Sequence, residues 1–447
     1  MNAKRILLAA LLGAFLPAGA AQFTVPPGAS VTVPGGSLSL GCADLSIAGT
    51  MLLGASQVAG AGTVSIAGGG SLDAGSSTLT VGGNWANAGS FAAGTGTVVF
   101  ADGCTTAPAT FTGTTAFRNL SLTSASGRTF VIPAGRLVTV SGALVLTGSA
   151  AQPLQLTSST PGQAASVVMG AAGSISRSFA SFSSGADVDA SAFPRLANIS
   201  TRMQVLTGAD VLIGGFIIGG TQPKTVVVRA RGPSLTAAGV PGALANPVLQ
   251  LFSGATQLEA NDNWQQAANA ATIQASGFAP SDSLESAIHT TLNPGAYTAI
   301  VTGAGGGTGV SIIEVFEVGT PEVPLLNIAT RGKVLTGADV MIGGFIIQGS
   351  APQTVVVRAR GPSLTAAGVP GALQDTVLQL FAGAAVIASN DDWQASPDAA
   401  VIQAAGFAPS DTRESVIRVT LNPGAYTAIV TGKNGTTGVG IIEVFAQ

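Results

Sequence analysis

The sequence predicts an all-β protein: an N-terminal β-solenoid followed by two tandem β-sandwich domains of jelly-roll type. Three observations lead there. Apolar residues come in short runs that alternate with Ser and Thr and are broken by Gly, the pattern of strands between turns. No helical period of 3.6 residues continues for more than about two turns. Residues 226–244, VVVRARGPSLTAAGVPGAL, return letter for letter at 355–373, so the C-terminal part is a duplication. Only 9% of the 447 residues are charged while 46% are hydrophobic, which excludes a disordered chain.

Residues 1–21 read as a signal peptide. Lys4 and Arg5 form a basic start, Ile6 to Leu16 an apolar stretch too short for a membrane span, and Ala18-Gly19-Ala20 a small-residue cleavage site, with Ala21 as a near-equivalent. The expected product is a secreted protein, extracellular or on the cell surface, with the periplasm as the alternative. No later apolar run is long enough to span a bilayer. A net charge of −3 gives no basic footprint for nucleic acid.

Residues 22–192 are expected to form the solenoid. Ser30-Val31-Thr32-Val33, Thr78-Leu79-Thr80-Val81, Thr97-Val98-Val99-Phe100 and Leu144-Val145-Leu146 are typical of its strand-like pieces. None can bury a face alone, and stacking them as coils makes a continuous core. A right-handed parallel β-helix fits best, with a β-sandwich as the alternative. Cys42 and Cys104 lie in this segment, and export would permit them to bridge. The stretch from Leu79-Thr80-Val81-Gly82-Gly83-Asn84-Trp85 through Thr97-Val98-Val99-Phe100 to Phe117-Arg118-Asn119-Leu120 resembles the glycine-rich solenoid repeats of bacterial adhesins and autotransporter passengers. That resemblance implies a bacterial surface protein.

Residues 196–318 align without a gap to 325–447, and residues 319–324, with two prolines, link them. Each repeat alternates with period two: Val226, Val228 and Ala230 face one way, Val227, Arg229 and Arg231 the other. The segments Leu249-Gln250-Leu251-Phe252, Asn261-Asp262-Asn263-Trp264, Leu292-Asn293-Pro294-Gly295-Ala296-Tyr297 and Glu314-Val315-Phe316 resemble the bacterial pre-peptidase C-terminal domain. This resemblance implies a small sandwich appended to secreted proteins, without catalysis of its own.

The search for chemistry yields little. His289 is the only histidine, and Arg418 takes its place in the second copy. No G-x-S-x-G elbow occurs, and Gly303 to Gly309 lacks the Lys of a phosphate loop. Acids common to both repeats, Asp210, Asp262, Asp282, Glu285 and Glu314, leave open an enzyme with an unrecognised carboxylate site. The loops Asn261-Asp262-Asn263 and Asn390-Asp391-Asp392 offer oxygen ligands of the kind Ca²⁺ takes, or else close an Asx turn. No other cofactor is implied. Arg229, Glu285 and Glu314, with Arg358, Glu414 and Glu443 in the second copy, are expected to form structural ion pairs across strands. The expectation is a non-catalytic structural or adhesive protein of a bacterium. The alternative is a binding module for polysaccharide or a surface protein, with Trp85, Trp264, Trp393, Tyr297 and Tyr426 as its sugar-stacking candidates.

Overall fold

The computed structural model describes residues 5–7, 14–15, 22–319 and 323–447. The signal-peptide reading therefore falls outside the described residues, save for two short strands, Arg5–Leu7 and Ala14–Phe15; so do residues 320–322 of the linker. The chain divides into two compact units, Met1–Phe193 and Pro194–Gln447.

The first unit is a β-solenoid of parallel strands with three strands to a coil. Every third strand joins the same sheet, giving two eight-stranded sheets and a third face split into sheets of five and four strands. Hydroxyl residues look outward and apolar residues inward, so equivalent positions of successive coils stack in rows. Leu38, Val58, Leu79, Val98, Leu120 and Leu144 make one such row. Leu45, Val64, Trp85 and Phe111 make another. A coil alone would leave its apolar residues open above and below; the stack buries them.

Cys42 and Cys104 are bridged, with Cα atoms 5.4 Å apart. Gly82 lies beneath the bridge, and a Cβ there would stand 2.4 Å from Cys104 Cβ. Next to it the guanidinium of Arg128 is buried and ties three carbonyls from two successive coils. It donates to Gly82 at 2.6 Å, Ala107 at 2.6 Å and Ala101 at 3.2 Å. A buried cation here is satisfied by carbonyls, so it serves as a staple. Burial pushes the Asp102 carboxyl up, but hydrogen bonds from Ser126, Ser124 and two backbone amides outweigh it and hold the group below its ordinary value.

In the second unit hydrogen bonding continues across the repeat boundary, and two antiparallel runs of eight strands each cross both repeats. One run takes Thr256–Asn261, Pro247–Ser253, Gly295–Gly303 and Leu212–Ile218 from the first repeat. It continues with Leu325–Val334, Gly438–Ala446, Gln353–Arg360 and Ser415–Leu421 from the second. The other takes Ser286–Leu292, Lys224–Arg231, Gly309–Val318 and Arg195–Val205, then Met341–Gln348, Gly424–Gly432, Thr376–Ala382 and Ala385–Asn390. The exchange is reciprocal: Thr201 pairs with Gly343 just as Gly214 pairs with Thr330. At the centre of this pseudo-two-fold the buried hydroxyls of Thr201 and Thr330 lie 2.8 Å apart. Glycine is needed at the crossing because a Cβ on Gly214 or Gly343 would press within 2.8 Å of Ile313 or Ile442. One apolar cluster, including Phe216, Val228, Phe345 and Val357, fills both repeats.

Candidate functional site

The duplicated arginines face inward contacts, and both copies repeat them. Arg229 and Glu314 are cross-strand neighbours in register, with Nε 2.5 Å from Oε2. Arg229 also donates to the Phe278 carbonyl at 2.8 Å and lies over the Phe316 ring at 4.7 Å. Arg358 does the same with Glu443 at 2.5 Å, the Phe407 carbonyl at 2.9 Å and the Phe445 ring at 5.0 Å. Glu285 plays a different part. It is fully buried, and its Oε1 accepts from the amides of Gly232 and Ser234, both at 2.9 Å, at the turn that ends the arginine strand. Arg231 reaches it only at 4.0 Å and bonds Ser234 Oγ instead. Glu414 holds Gly361 and Ser363 in the same way. Pro233 fits this turn because it opens the short helix Pro233–Ala237, where no amide proton is needed.

The Asn-Asp loops follow the hairpin strands Thr256–Asn261 and Ala385–Asn390. In each, the asparagine that ends the strand closes an Asx-type turn. Asn390 Oδ1 accepts from the Val416 amide at 2.8 Å, and its Nδ2 donates to the Asp392 carbonyl at 3.1 Å. Asn261 does so with Ala287 at 3.0 Å and Asn263 at 3.3 Å. These two side chains are therefore engaged in the backbone. Asp391 and Asp392, by contrast, meet Asp375, and one carboxylate oxygen of each lies within 4.8 Å of the others. Lys433, from the turn between the last two strands, puts its Nζ 2.7 Å from Asp391 Oδ2 and 3.8 Å from Asp375 Oδ2. Burial raises the Asp375 carboxyl, and the neighbouring Asp391 and Asp392 add to the rise against the pull of Lys433.

The first repeat lacks this cluster. Asn246, Asn263 and Ala304 stand where the second has Asp375, Asp392 and Lys433, and Asp262 is the one acid left. Asp375 and Lys433 escape a reading of the loop alone because they are distant in sequence. The signal for them is the repeat alignment, where two amides become acids and an alanine becomes lysine together. Three carboxylates supply hard oxygens of the type Ca²⁺ takes, and an incoming cation would displace the ammonium of Lys433.

The remaining candidates are absorbed by structure. Trp85, Trp264 and Trp393 are buried, and the Tyr297 and Tyr426 hydroxyls donate to the carbonyls of Asn293 and Asn422 at 2.8 and 2.9 Å. His289 is half-buried, its carbonyl held by Asn269 Nδ2 at 2.8 Å. Among the described residues no helix is long and apolar enough to cross a membrane. No protein-family model matches the chain, and no curated protein matches it.

Proposed function

We propose that this chain is an exported bacterial protein with a non-catalytic structural and adhesive role, built from a β-solenoid and, later in the chain, two joined β-sandwich repeats. The observation that carries the reading is the Cys42–Cys104 bridge across the solenoid corner. Such a bridge belongs to an oxidising compartment, and the N-terminal basic and apolar pattern supplies the route there. The sparsely charged, hydroxyl-rich solenoid faces and the resemblance to adhesin repeats support attachment to surfaces. Thiol labelling of unreduced, denatured protein from fractionated cells tests export: the exported chain shows no reactive thiol, and two reactive thiols in a cytoplasmic fraction would end the reading.

The acidic cluster favours a second reading, a binding module for polysaccharide or a surface protein whose end loop in the second repeat is ordered by calcium. Melting the full chain with chelator and with millimolar calcium separates the two. A calcium-dependent rise that Asp375→Asn removes supports the second, and an unchanged melt leaves the Asx turns as local structure.

A further inference from the structure

A cleft of about 390 Å³ opens at the seam between the repeats, lined by none of the acidic-cluster residues. Its apolar wall is Phe278 and Phe316, stacked with centroids 4.3 Å apart. The Arg229 guanidinium over Phe316 and its bond to the Phe278 carbonyl fix both rings. Two amides from different repeats complete it. Asn198 is 6% exposed, and its Nδ2 donates to the Val315 carbonyl at 3.1 Å and the Ile199 carbonyl at 3.3 Å. Gln348 Oε1 accepts from Arg195 at 2.6 Å. Carbonyls only accept and guanidinium groups only donate, so both amide orientations are set by their partners. Among the described residues this leaves Asn198 Oδ1 as an acceptor and Gln348 Nε2 as a donor without a hydrogen bond. The charges of the cleft, Arg195 and Glu317, engage each other.

The pseudo-two-fold supplies an internal control. Leu326 stands where Ala197 lines the cleft, and Gly219 stands where Gln348 does. At that sister position Leu326 covers the glycine, for a Cβ on Gly219 would lie 2.7 Å from Leu326 Cγ. One seam position is thus covered by leucine, and the other pairs a small residue with a glutamine whose Nε2 makes no hydrogen bond among the described residues.

We propose that this cleft binds one pyranose residue of a neutral polysaccharide. A pyranose presents an apolar C–H face, which suits the phenylalanine wall. Its hydroxyls both donate and accept, which suits one free acceptor beside one free donor. A purely apolar ligand would bury both amide groups unpaired, at a cost. An ionic ligand would have to compete with the Arg195–Glu317 pair. The volume sits near the lower end of small-ligand clefts, ~300 Å³, as one ring requires.

The test uses the purified full chain in chelator, so that neither export nor calcium enters, and a set of probes: methyl glycosides of glucose, galactose, mannose and N-acetylglucosamine. Saturation-transfer NMR and calorimetry should find at least one that binds with Kd of about 1 mM. Ala197→Leu together with Gln348→Gly, which installs the residue pair of the sister position, should weaken that binding at least ~10-fold with an unchanged melt. Gln348→Leu, at an exposed site, removes the free donor and should weaken it too, and it serves if the first variant misfolds. Failure of all four glycosides to bind overturns the proposal. So does binding that neither variant alters, or binding of phenol in place of the glycosides.

Discussion

The two repeats share a strand order, a core and the arginine lattice, yet they differ at an end loop and at the seam. Where the second repeat gathers Asp375, Asp391, Asp392 and Lys433, the first has Asn246, Asp262, Asn263 and Ala304. Where the second covers its seam with Leu326, the first leaves Ala197. Positions that hold backbone amides or a buried counter-charge stay fixed, because each exchange there leaves a buried polar group without its partner. Positions at the loops and the seam change in groups, because their partners are one another. Divergence between copies therefore marks where function could differ, and identity marks scaffold.

The largest test of this view is the lattice. Arg229→Ala in the full chain leaves Glu314 buried without its counter-charge and frees the Phe278 carbonyl, a loss of about 3–5 kcal/mol. Arg358→Ala should cost the same to within about 1 kcal/mol, since its contacts match to 0.3 Å. Urea unfolding followed through Trp264 and Trp393 reads both. Unequal losses, or a loss below about 1 kcal/mol, would turn the duplicated arginines from scaffold into surface groups.

A smaller effect tests the junction. Thr201→Val strips the Thr330 hydroxyl of its partner at the pseudo-two-fold and should cost about 1–3 kcal/mol. Thr201→Val with Thr330→Val removes both partners and should cost less than the two single changes together. Additive losses would mean that the two hydroxyls do not act as a pair, and that the junction is held by its strand pairing alone.

Much of this architecture was readable from residue order. The alternation in pieces such as Thr78-Leu79-Thr80-Val81 fixes which side chains turn inward, and repetition of such pieces implies stacked coils. The same alternation sets Arg229 and Val228 on opposite faces. The joining of the repeats was not readable: Leu212–Ile218 carries no mark that its second neighbour is Leu325–Val334 rather than a strand of its own copy. Edge pairing is decided by backbone groups common to every residue. The acidic cluster was half readable, because Asp391 and Asp392 are adjacent while Asp375 and Lys433 arrive through tertiary contact. Phe278 and Phe316 carry no mark in the sequence of their pairing, because only tertiary contact brings the two rings to a stack with centroids 4.3 Å apart.

The smallest expected effect concerns acid. Asp375 is raised in the folded chain by burial first and then by Asp391 and Asp392. A carboxylate raised on folding opposes the fold while ionised. The penalty is full at neutral pH, fades as pH falls through the raised value, and is gone below the unfolded value of about 3.9. Asp102 and Asp189 in the solenoid have the opposite sign. Burial pushes each up, but hydrogen bonds from Ser126 and Ser124 to Asp102, and from Ser191 and Arg136 to Asp189, bring them below the ordinary value. Their stabilisation is complete above about 3.9 and is lost as pH falls further. Mild acid should therefore leave the solenoid unchanged and relieve the second repeat. Asp375→Asn, which removes the charge at every pH, should raise the melt at pH 7 by about 1 kcal/mol or less, roughly 2 °C, because the cluster is partly exposed and Lys433 already offsets it. Between pH 7 and pH 4 the wild-type transition followed through Trp393 should converge on that of the variant. A gap that stays constant over this range would show that Asp375 keeps its charge in the fold, and that Lys433 rather than burial governs the cluster.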